Sequence, residues 1–345
     1  LAATTSPRLL SLSGVKLELS QVESLVEALQ SSPWLEGLDL DVTNLGSQGG
    51  NVVGRALQHM SHLTTLQLSR NELGDKGISS LCMSLCVLSC RLSTLRLDGN
   101  GIGDNGVTQL AEALKRNESL TFLELRDNKL SSTSAQVLGR ALPSNRSLLR
   151  LDLGSNVLSP LGAKALSALN AMRFLRELNV SGNGLGGEGA THIAQHLSGP
   201  LATLVCLEAA FNDMGVTGAV AIGDMLRSNS TLKKLRLARN AFLDGGAEAI
   251  VKGLAGNSTL QTLDLCANEI SCFPDGFPLS GGAASGLTSV DVSYNRLTSL
   301  PPWLTTVPPP WQHQNNEWLP SLIVVDTSAN LGLDLFQKLS CWPCC

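Results

Sequence analysis

The sequence predicts an α/β solenoid bent into a horseshoe, with parallel strands along its concave face and helices along its convex face. Three observations predict it. An apolar motif recurs about every 28 residues, an asparagine stands at a fixed place within it, and a helical apolar spacing follows each copy.

The motif is L-x-x-L-x-L-x-x-N-x-L. It reads Leu63, Leu66, Leu68, Asn71, Leu73, and then Leu92, Leu95, Leu97, Asn100, Ile102. Further copies are Leu120, Leu123, Leu125, Asn128, Leu130 and Leu148, Leu151, Leu153, Asn156, Leu158. Looser copies end in Asn183, Asn212, Asn240, Asn268, Asn295 and Asn330, and two degenerate ones put Val15 and Thr43 at the asparagine position. From 15 to 295 the steps are all 27, 28 or 29 residues; the last, 295 to 330, is 35 and marks an insertion.

Each part of a unit has a physical reason. The L-x-L core alternates in and out, as a short strand with one buried face does. An amide both donates and accepts, so a buried asparagine can satisfy backbone groups of its own turn and of its neighbour's. The second half is helical: Val107, Leu110 and Leu114 fall three and four apart, as do Ala219, Ile222, Leu226 and Ala247, Ile250, Leu254. Ala113, Ala141 and Ala168 precede the last Leu and let adjacent helices approach. Gly77, Gly106, Gly162, Gly189, Gly218 and Gly246 recur six residues past each asparagine, where a helix starts. One strand and one helix cannot bury their apolar faces alone, so neighbours must stack.

The period and the N-x-L-x-x-x-G-x-x-x-L continuation resemble the ribonuclease-inhibitor subfamily of leucine-rich repeats. That subfamily includes the repeat arrays of nucleotide-binding immune receptors, the GTPase-activating protein of Ran and several ciliary repeat proteins. The resemblance runs from about Arg8 to Ile270 and implies the fold; function belongs to sites grafted on it. Residues 1–270 are therefore expected to be regular repeats. Residues 271–345 are expected to be looser ones: Cys272–Gly286 is rich in Pro, Gly and Ser, and Leu297-Thr-Ser-Leu-Pro-Pro resembles a shorter repeat type.

Composition narrows the function. Aromatic residues are only 4% of the chain, fewer than compact enzymes use in their cores. A net charge of −4 argues against a nucleic-acid surface, which needs a clustered basic excess. No apolar run approaches the roughly 20 residues that span a bilayer. The chain starts at Leu1 without methionine, so a missing or processed start is expected; Leu1–Arg8 does not read as an intact signal peptide, and a removed organellar targeting peptide stays open. Of nine cysteines, Cys82, Cys86 and Cys90 fall four apart on one predicted helix, while Cys206 and Cys266 fall in predicted strands; buried thiols of a reducing compartment are expected.

Several motifs imitate chemistry. Gly182-Asn-Gly184-Leu-Gly186-Gly187 matches a dinucleotide fingerprint, but Asn183 and Gly189 already belong to the repeat. His192 and His196 stand one helical turn apart, with Ile193 and Leu197 expected in the buried positions and both imidazoles in solvent. Sequons occur at Asn117, Asn145, Asn179, Asn229 and Asn257. Four of them fall at one repeat position, where asparagine is expected to take the left-handed conformation ending a helix, so no glycosylation is expected. Cys341-Trp-Pro-Cys344-Cys345 lacks a complete ligand set. No cofactor, metal or catalytic group is expected, since a regular ladder of charges such as Glu124 and Asp152 is not a pocket.

A partner would meet the concave face. The middle positions of the L-x-L cores run Asp39, Gln67, Arg96, Glu124, Asp152, Asn179, Glu208, Arg236, Asp264 and Asp291. Flanking positions add Phe122, Arg126, Arg150, Phe211, Lys234, Arg239 and Tyr294, and aromatic and Arg anchors dominate interfaces. The C-terminal insertion Pro301–Pro320 carries Trp303, Trp311 and Trp318, as a cap over the last layer or as a binding loop. The expected function is a non-catalytic scaffold or adaptor for other protein subunits, in a larger ciliary or organellar assembly. It takes no nucleic acid, no membrane insertion and no small-molecule substrate, and it is intracellular, in the cytoplasm or at a cilium. Two alternatives stay open: a GTPase-activating regulator of a small GTPase, and the repeat array of an immune-type sensor. The resemblance to the Ran-activating family implies a strongly acidic C-terminal tail, whereas residues 340–345 read Ser-Cys-Trp-Pro-Cys-Cys.

Overall fold

The computed structural model describes residues 8–30, 32, 34–87, 89–166, 173–199, 202–274, 286–298, 324–326 and 330. They belong to two compact units: Leu1–Leu158 with Ala171–Asn179, and Ser159–Asn170 with Val180–Cys345. Trp303, Trp311, Trp318 and the Cys341–Cys345 tail lie outside the described residues.

In the first unit, seven three-residue strands pair in chain order, each parallel to the next. They are β1 (Leu9–Ser11), β2 (Gly37–Asp39), β3 (Thr65–Gln67), β4 (Thr94–Arg96), β5 (Phe122–Glu124), β6 (Arg150–Asp152) and β7 (Glu177–Asn179). Helices α1 (Leu19–Gln30), α2 (Gly46–Ala56), α3 (Gly74–Gly77), α4 (Ser79–Leu85), α5 (Asp104–Leu114) and α6 (Ser132–Ala141) alternate with them. The second unit repeats the plan with α7 (Ser159–Leu166), α8 (Gly186–Leu197), α9 (Gly215–Ser228) and α10 (Leu243–Leu254). Its parallel strands are β8 (Cys206–Glu208), β9 (Lys234–Arg236), β10 (Thr262–Asp264), β11 (Ser289–Asp291) and β12 (Val324–Asp326). Each unit is thus an α/β repeat solenoid, as the period predicts. No helix of the described residues is long and apolar enough to cross a membrane.

The strand centres Leu38, Leu66, Leu95, Leu123, Leu151 and Leu235 are buried without remainder, as are Val107, Leu110 and Leu114 of α5. Burial of this kind stabilises each leucine by about 1.5–3 kcal/mol, and the stack supplies the apolar neighbour that one repeat lacks. Gly77, Gly106, Gly189, Gly218 and Gly246 sit in the first helical turn against the preceding repeat. A Cβ on Gly246 would stand 2.8 Å from Cβ of Ala219 and 2.8 Å from Cβ of Phe242, so only a hydrogen fits there.

The asparagines form the expected ladder. The Asn100 side-chain carbonyl accepts the backbone N–H of Asn71 at 2.9 Å, and its amide donates to the Leu68 carbonyl at 2.8 Å. Asn128, Asn212, Asn240, Asn268 and Asn295 repeat this, and Asn330 Nδ2 donates to the Val292 carbonyl at 3.0 Å. At the degenerate position, the Thr43 hydroxyl donates to Leu40 O and is buried, whereas Val15 is exposed. The residue before the asparagine is left-handed in Val42, Arg70, Gly99, Asp127, Ser155, Gly182, Phe211, Arg239, Ala267 and Tyr294. That twist turns the asparagine inward and the preceding side chain outward.

A second asparagine ladder runs behind the strands, and here one expectation is corrected. Asn145 and Asn229 are extended, at φ −80 and −75, not left-handed. Their value is the amide. Asn145 Nδ2 donates to the Leu114 carbonyl at 2.7 Å and to the Asn117 carbonyl at 3.1 Å, while Oδ1 accepts the N–H of Ser147 and Leu148. Asn257 does the same with Leu226, Asn229, Thr259 and Leu260. In all four sequons at this position the side-chain amide is buried, out of reach of a glycosylating enzyme.

The cysteines also shift. In this repeat the helix is divided at Ile78 into α3 and α4, and α4 ends at Leu85, so Cys86 caps the helix and Cys90 lies beyond it. Cys266 lies two residues past β10 rather than in it; Cys206 opens β8. The expectation of buried thiols holds for Cys82 and Cys206, while Cys90 and Cys266 are half-buried and Cys86 and Cys272 exposed; burial pushes the Cys82 thiol up to about 12, an inert core group.

Candidate protein interface

On the outward face of the first unit, the short strands present every second side chain, so rows form across neighbouring repeats. Phe122 opens β5 between Arg96 of β4 and Arg150 of β6. The Arg150 guanidinium lies 4.6 Å from the ring centroid and that of Arg96 5.8 Å. Each arginine also has a carboxylate: Arg96 Nε is 3.1 Å from Glu124 Oε2, and Arg150 Nε is 3.4 Å from Glu177 Oε2. The Arg96 Nε contact is an ion pair, since its N–H is not aligned for a hydrogen bond. Asp152 is only 8% exposed, and its Oδ2 accepts from Asn179 Nδ2 at 2.9 Å, so it braces the face from within. Arg126 is exposed, with its backbone N–H held by Asp98 Oδ1 at 2.8 Å.

Asp98 is a residue that the sequence reading missed. Its carboxyl is pushed up to about 7, first by burial and then by the charge of Glu124 beside it. Glu124 is raised too, by burial above all, with Arg96 opposing. The signal was present in the sequence: period two carries past the L-x-L core, so Asp98 shares the outward face with Arg96 and meets Glu124 one repeat on.

The outward face of the second unit gathers Phe211, Lys234, Arg236, Arg239 and Tyr294. Arg236 Nη1 donates to Glu208 Oε1 at 2.8 Å, and the Arg239 guanidinium lies 5.0 Å from the Phe211 ring. Phe211 and Tyr294 are 57% and 63% exposed and both are left-handed. Lys234 is exposed at the start of β9. The ligand atoms of Asp264, Cys266 and Asp291 lie within 4.8 Å of one another, the group of described residues best placed to hold a metal. Burial raises both Asp264 and the Cys266 thiol. Period two carried past β10 puts Cys266 on this face as well.

The motifs that imitate chemistry resolve into structure. Gly182 and Gly186 N–H groups donate to Ala210 and Asn212 carbonyls, so these amides of the glycine-rich loop are engaged by the next repeat and not turned toward a phosphate. The histidine expectation is corrected. Ala190, Ala194 and Leu197 are the buried side of α8, while Ile193 is half-buried. Both His192 and His196 are half-buried instead of in solvent, and desolvation lowers His196 to about 4. His192 Nε2 stands 3.8 Å from Glu188 Oε1.

The "Leucine Rich repeat" family model matches residues 59–82, 89–111, 116–139, 144–167, 171–194 and 228–251, and a "Leucine Rich Repeat" model matches 286–307. The chain is 30% identical over 240 residues to NACHT, LRR and PYD domains-containing protein 5 of Bos taurus, covering 69% of this chain and 22% of that one. It is 30% identical over 229 residues to the ribonuclease inhibitor of Sus scrofa, covering 66% of this chain and 50% of that protein. It therefore spans half or less of the length of these curated relatives. Among solved structures, the TLR13–ssRNA13 complex contains a chain that aligns with a TM-score of 0.53 at 21% identity, covering 86% of this chain and 37% of that one. That last likeness speaks for the fold alone. With the 28-residue period, the asparagine ladders and the alternating strands and helices, these matches identify the chain as a leucine-rich-repeat protein of the ribonuclease-inhibitor-like type.

Proposed function

We propose that this chain is a non-catalytic scaffold or adaptor that holds another protein against its outward strand faces, as a subunit of a larger assembly. The observation that carries the reading is Phe122 between Arg96 and Arg150. An aromatic ring on a face that packing does not bury, with guanidiniums on both sides and each guanidinium oriented by a carboxylate, is a preorganised anchor. Side chains already fixed by their neighbours lose little entropy when a partner arrives. The relatives with this repeat type include a ribonuclease inhibitor, a protein named for acting on another protein. The reading includes an intracellular place, cytoplasmic or ciliary; the buried thiols of Cys82 and Cys206 and the buried sequon amides support it.

Co-purification of the tagged chain from its native cells, followed by mass spectrometry, tests this. A defined protein is expected to copurify with the wild type and to be lost from a Phe122→Ala, Arg150→Ala variant of unchanged stability. An identical set of proteins retained by both would overturn the role of this face.

A further inference from the structure

On the outward face of the second unit a strip of small side chains runs between two rows of different chemistry, a shallow trough by side-chain size. Its floor is small: Ala210, Ala238 and Cys266 are half-buried and stand two residues past Glu208, Arg236 and Asp264, on the same outward face by period two. One side is the row of left-handed residues Phe211, Arg239, Ala267 and Tyr294. Phe211 and Tyr294 stand three repeats apart, about 14 Å at the spacing of neighbouring strands. Arg239 is stacked on Phe211, which leaves the short Ala267 side chain as a gap between Arg239 and Tyr294.

The left-handed backbone of this row is fixed. The N–H of Phe211, Arg239 and Ala267 donate to the Ala238, Cys266 and Ser293 carbonyls, each at 2.9 Å. Left-handed φ is a poor place for an aromatic residue, and rings more than half exposed, as Phe211 and Tyr294 are, gain little from packing. Folding needs only a small residue here, as Ala267 and Gly182 demonstrate.

The other side is charged, and its charge is uneven. Arg236 is engaged by Glu208 at 2.8 Å. Asp264 and Asp291 face each other in register on β10 and β11, and among the described residues neither makes an ion pair. Each gives Oδ1 to the amide two residues on, Cys266 N–H and Ser293 N–H at 2.9 Å. Burial above all, and then the charge of Asp291 beside it, raise Asp264, with Arg236 opposing.

Resting on the protein-binding reading above, we propose that this trough receives a partner segment bearing a Lys or Arg close to an aromatic or large aliphatic side chain. The cation sits between Asp264 and Asp291. The apolar group lies over Ala267, between Arg239 and Tyr294. Complementary charge selects the cation, and the gap in the aromatic row selects the apolar neighbour.

The test is selection of a random dodecapeptide library displayed on phage against the full chain, followed by affinity measurement of the synthetic winners. Winners are expected to pair a Lys or Arg with a nearby aromatic or Leu. Asp291→Asn and Tyr294→Ala are each expected to weaken them at least about tenfold. Both substitutions respect the fold: Asn keeps an acceptor for the Ser293 N–H, and Ala already occupies the same left-handed position at Ala267. Arg150→Ala in the first unit should leave these affinities unchanged. Winners that ignore Asp291→Asn and Tyr294→Ala but are lost with Arg150→Ala would overturn this inference and leave the broader reading standing. No enrichment at all would overturn it too. So would one-to-one Zn²⁺ uptake abolished by Cys266→Ser, because the carboxylates would then serve a metal.

Discussion

Asn240 holds Asn212 in place. The Asn240 side-chain carbonyl accepts the Asn212 backbone N–H at 3.0 Å, and Asn240 Nδ2 donates to the Ala209 and Leu237 carbonyls at 3.0 and 2.9 Å. One fully buried amide thus satisfies three backbone groups in two successive repeats. Asn240→Ala strands all three in a dry interior, at about 1–3 kcal/mol per buried group before relaxation. The expected loss is about 3 kcal/mol or more, read as the shift in the urea midpoint. Asn240→Asp should fare little better, since it keeps the acceptor, loses both donors and buries a charge. A shift below about 1 kcal/mol for Asn240→Ala would mean that water replaces the amide.

Helix packing in the second unit should tolerate a methyl group at one glycine and reject it at another. A Cβ on Gly253 of α10 would collide with the backbone carbonyl of Gly223 in α9, where no side chain can give way. Gly256, just past that helix, has open space around its Cβ position and no left-handed φ. Gly253→Ala is therefore expected to cost about 1–3 kcal/mol or more from overpacking. Gly256→Ala should be neutral or stabilise by a few tenths to about 1 kcal/mol through the unfolded chain. Thermal unfolding of the two variants side by side decides; equal midpoints would contradict the close approach of α9 and α10.

What was legible in the sequence is whatever a single repeat dictates. Leu95 and Leu110 read as core because periods of 2.0 and 3.6 place them there, and Asn100 reads as a ladder because it recurs. What was not legible depends on a neighbour one period away. A general preference of asparagine gives Asn145 a left-handed backbone, but its amide bonds to Leu114 and Asn117 of the preceding repeat and fixes it extended. His196 follows from which residues of α8 the adjacent helices cover. The raised carboxyl of Asp98 needs its burial and Glu124, 26 positions on, and shows only when period two is carried past the strand and across to the next repeat. Of the interface, the residue types were legible. The pairing of Arg96 and Arg150 on Phe122 was not, because side-chain direction across strands had to be seen.

Asp98 makes a pH-dependent prediction. Its carboxyl is raised in the folded chain from the ordinary 3.8 to about 7, so folding disfavours its ionised form. The sign follows: its contribution to stability is complete below about pH 4 and is lost as pH rises through about 7. Asp98→Asn removes the titration and keeps an acceptor for the Arg126 N–H. The variant is expected to match the wild type near about pH 4 and to exceed it near about pH 8 by about 1–2 kcal/mol, after discounting for solvent screening of this partly exposed group. Urea unfolding at the two pH values measures it. A difference that is constant with pH would show that Asp98 ionises normally.

The stack on Phe122 predicts a coupling energy. Arg150 touches the ring at 4.6 Å and also pairs with Glu177, so Arg150→Ala alone removes two interactions at once. The double-mutant cycle of Arg150→Ala with Phe122→Leu isolates the ring contact, because the Glu177 pair cancels between the two legs. At a half-exposed site a guanidinium over a phenyl ring contributes about 0.5–1 kcal/mol. That coupling should survive added salt, whereas the part of the Arg150→Ala effect due to Glu177 should fade as the ion pair is screened. Zero coupling at both salt concentrations would mean that the two side chains merely share a face, and the case for a preorganised anchor at Phe122 would go with it.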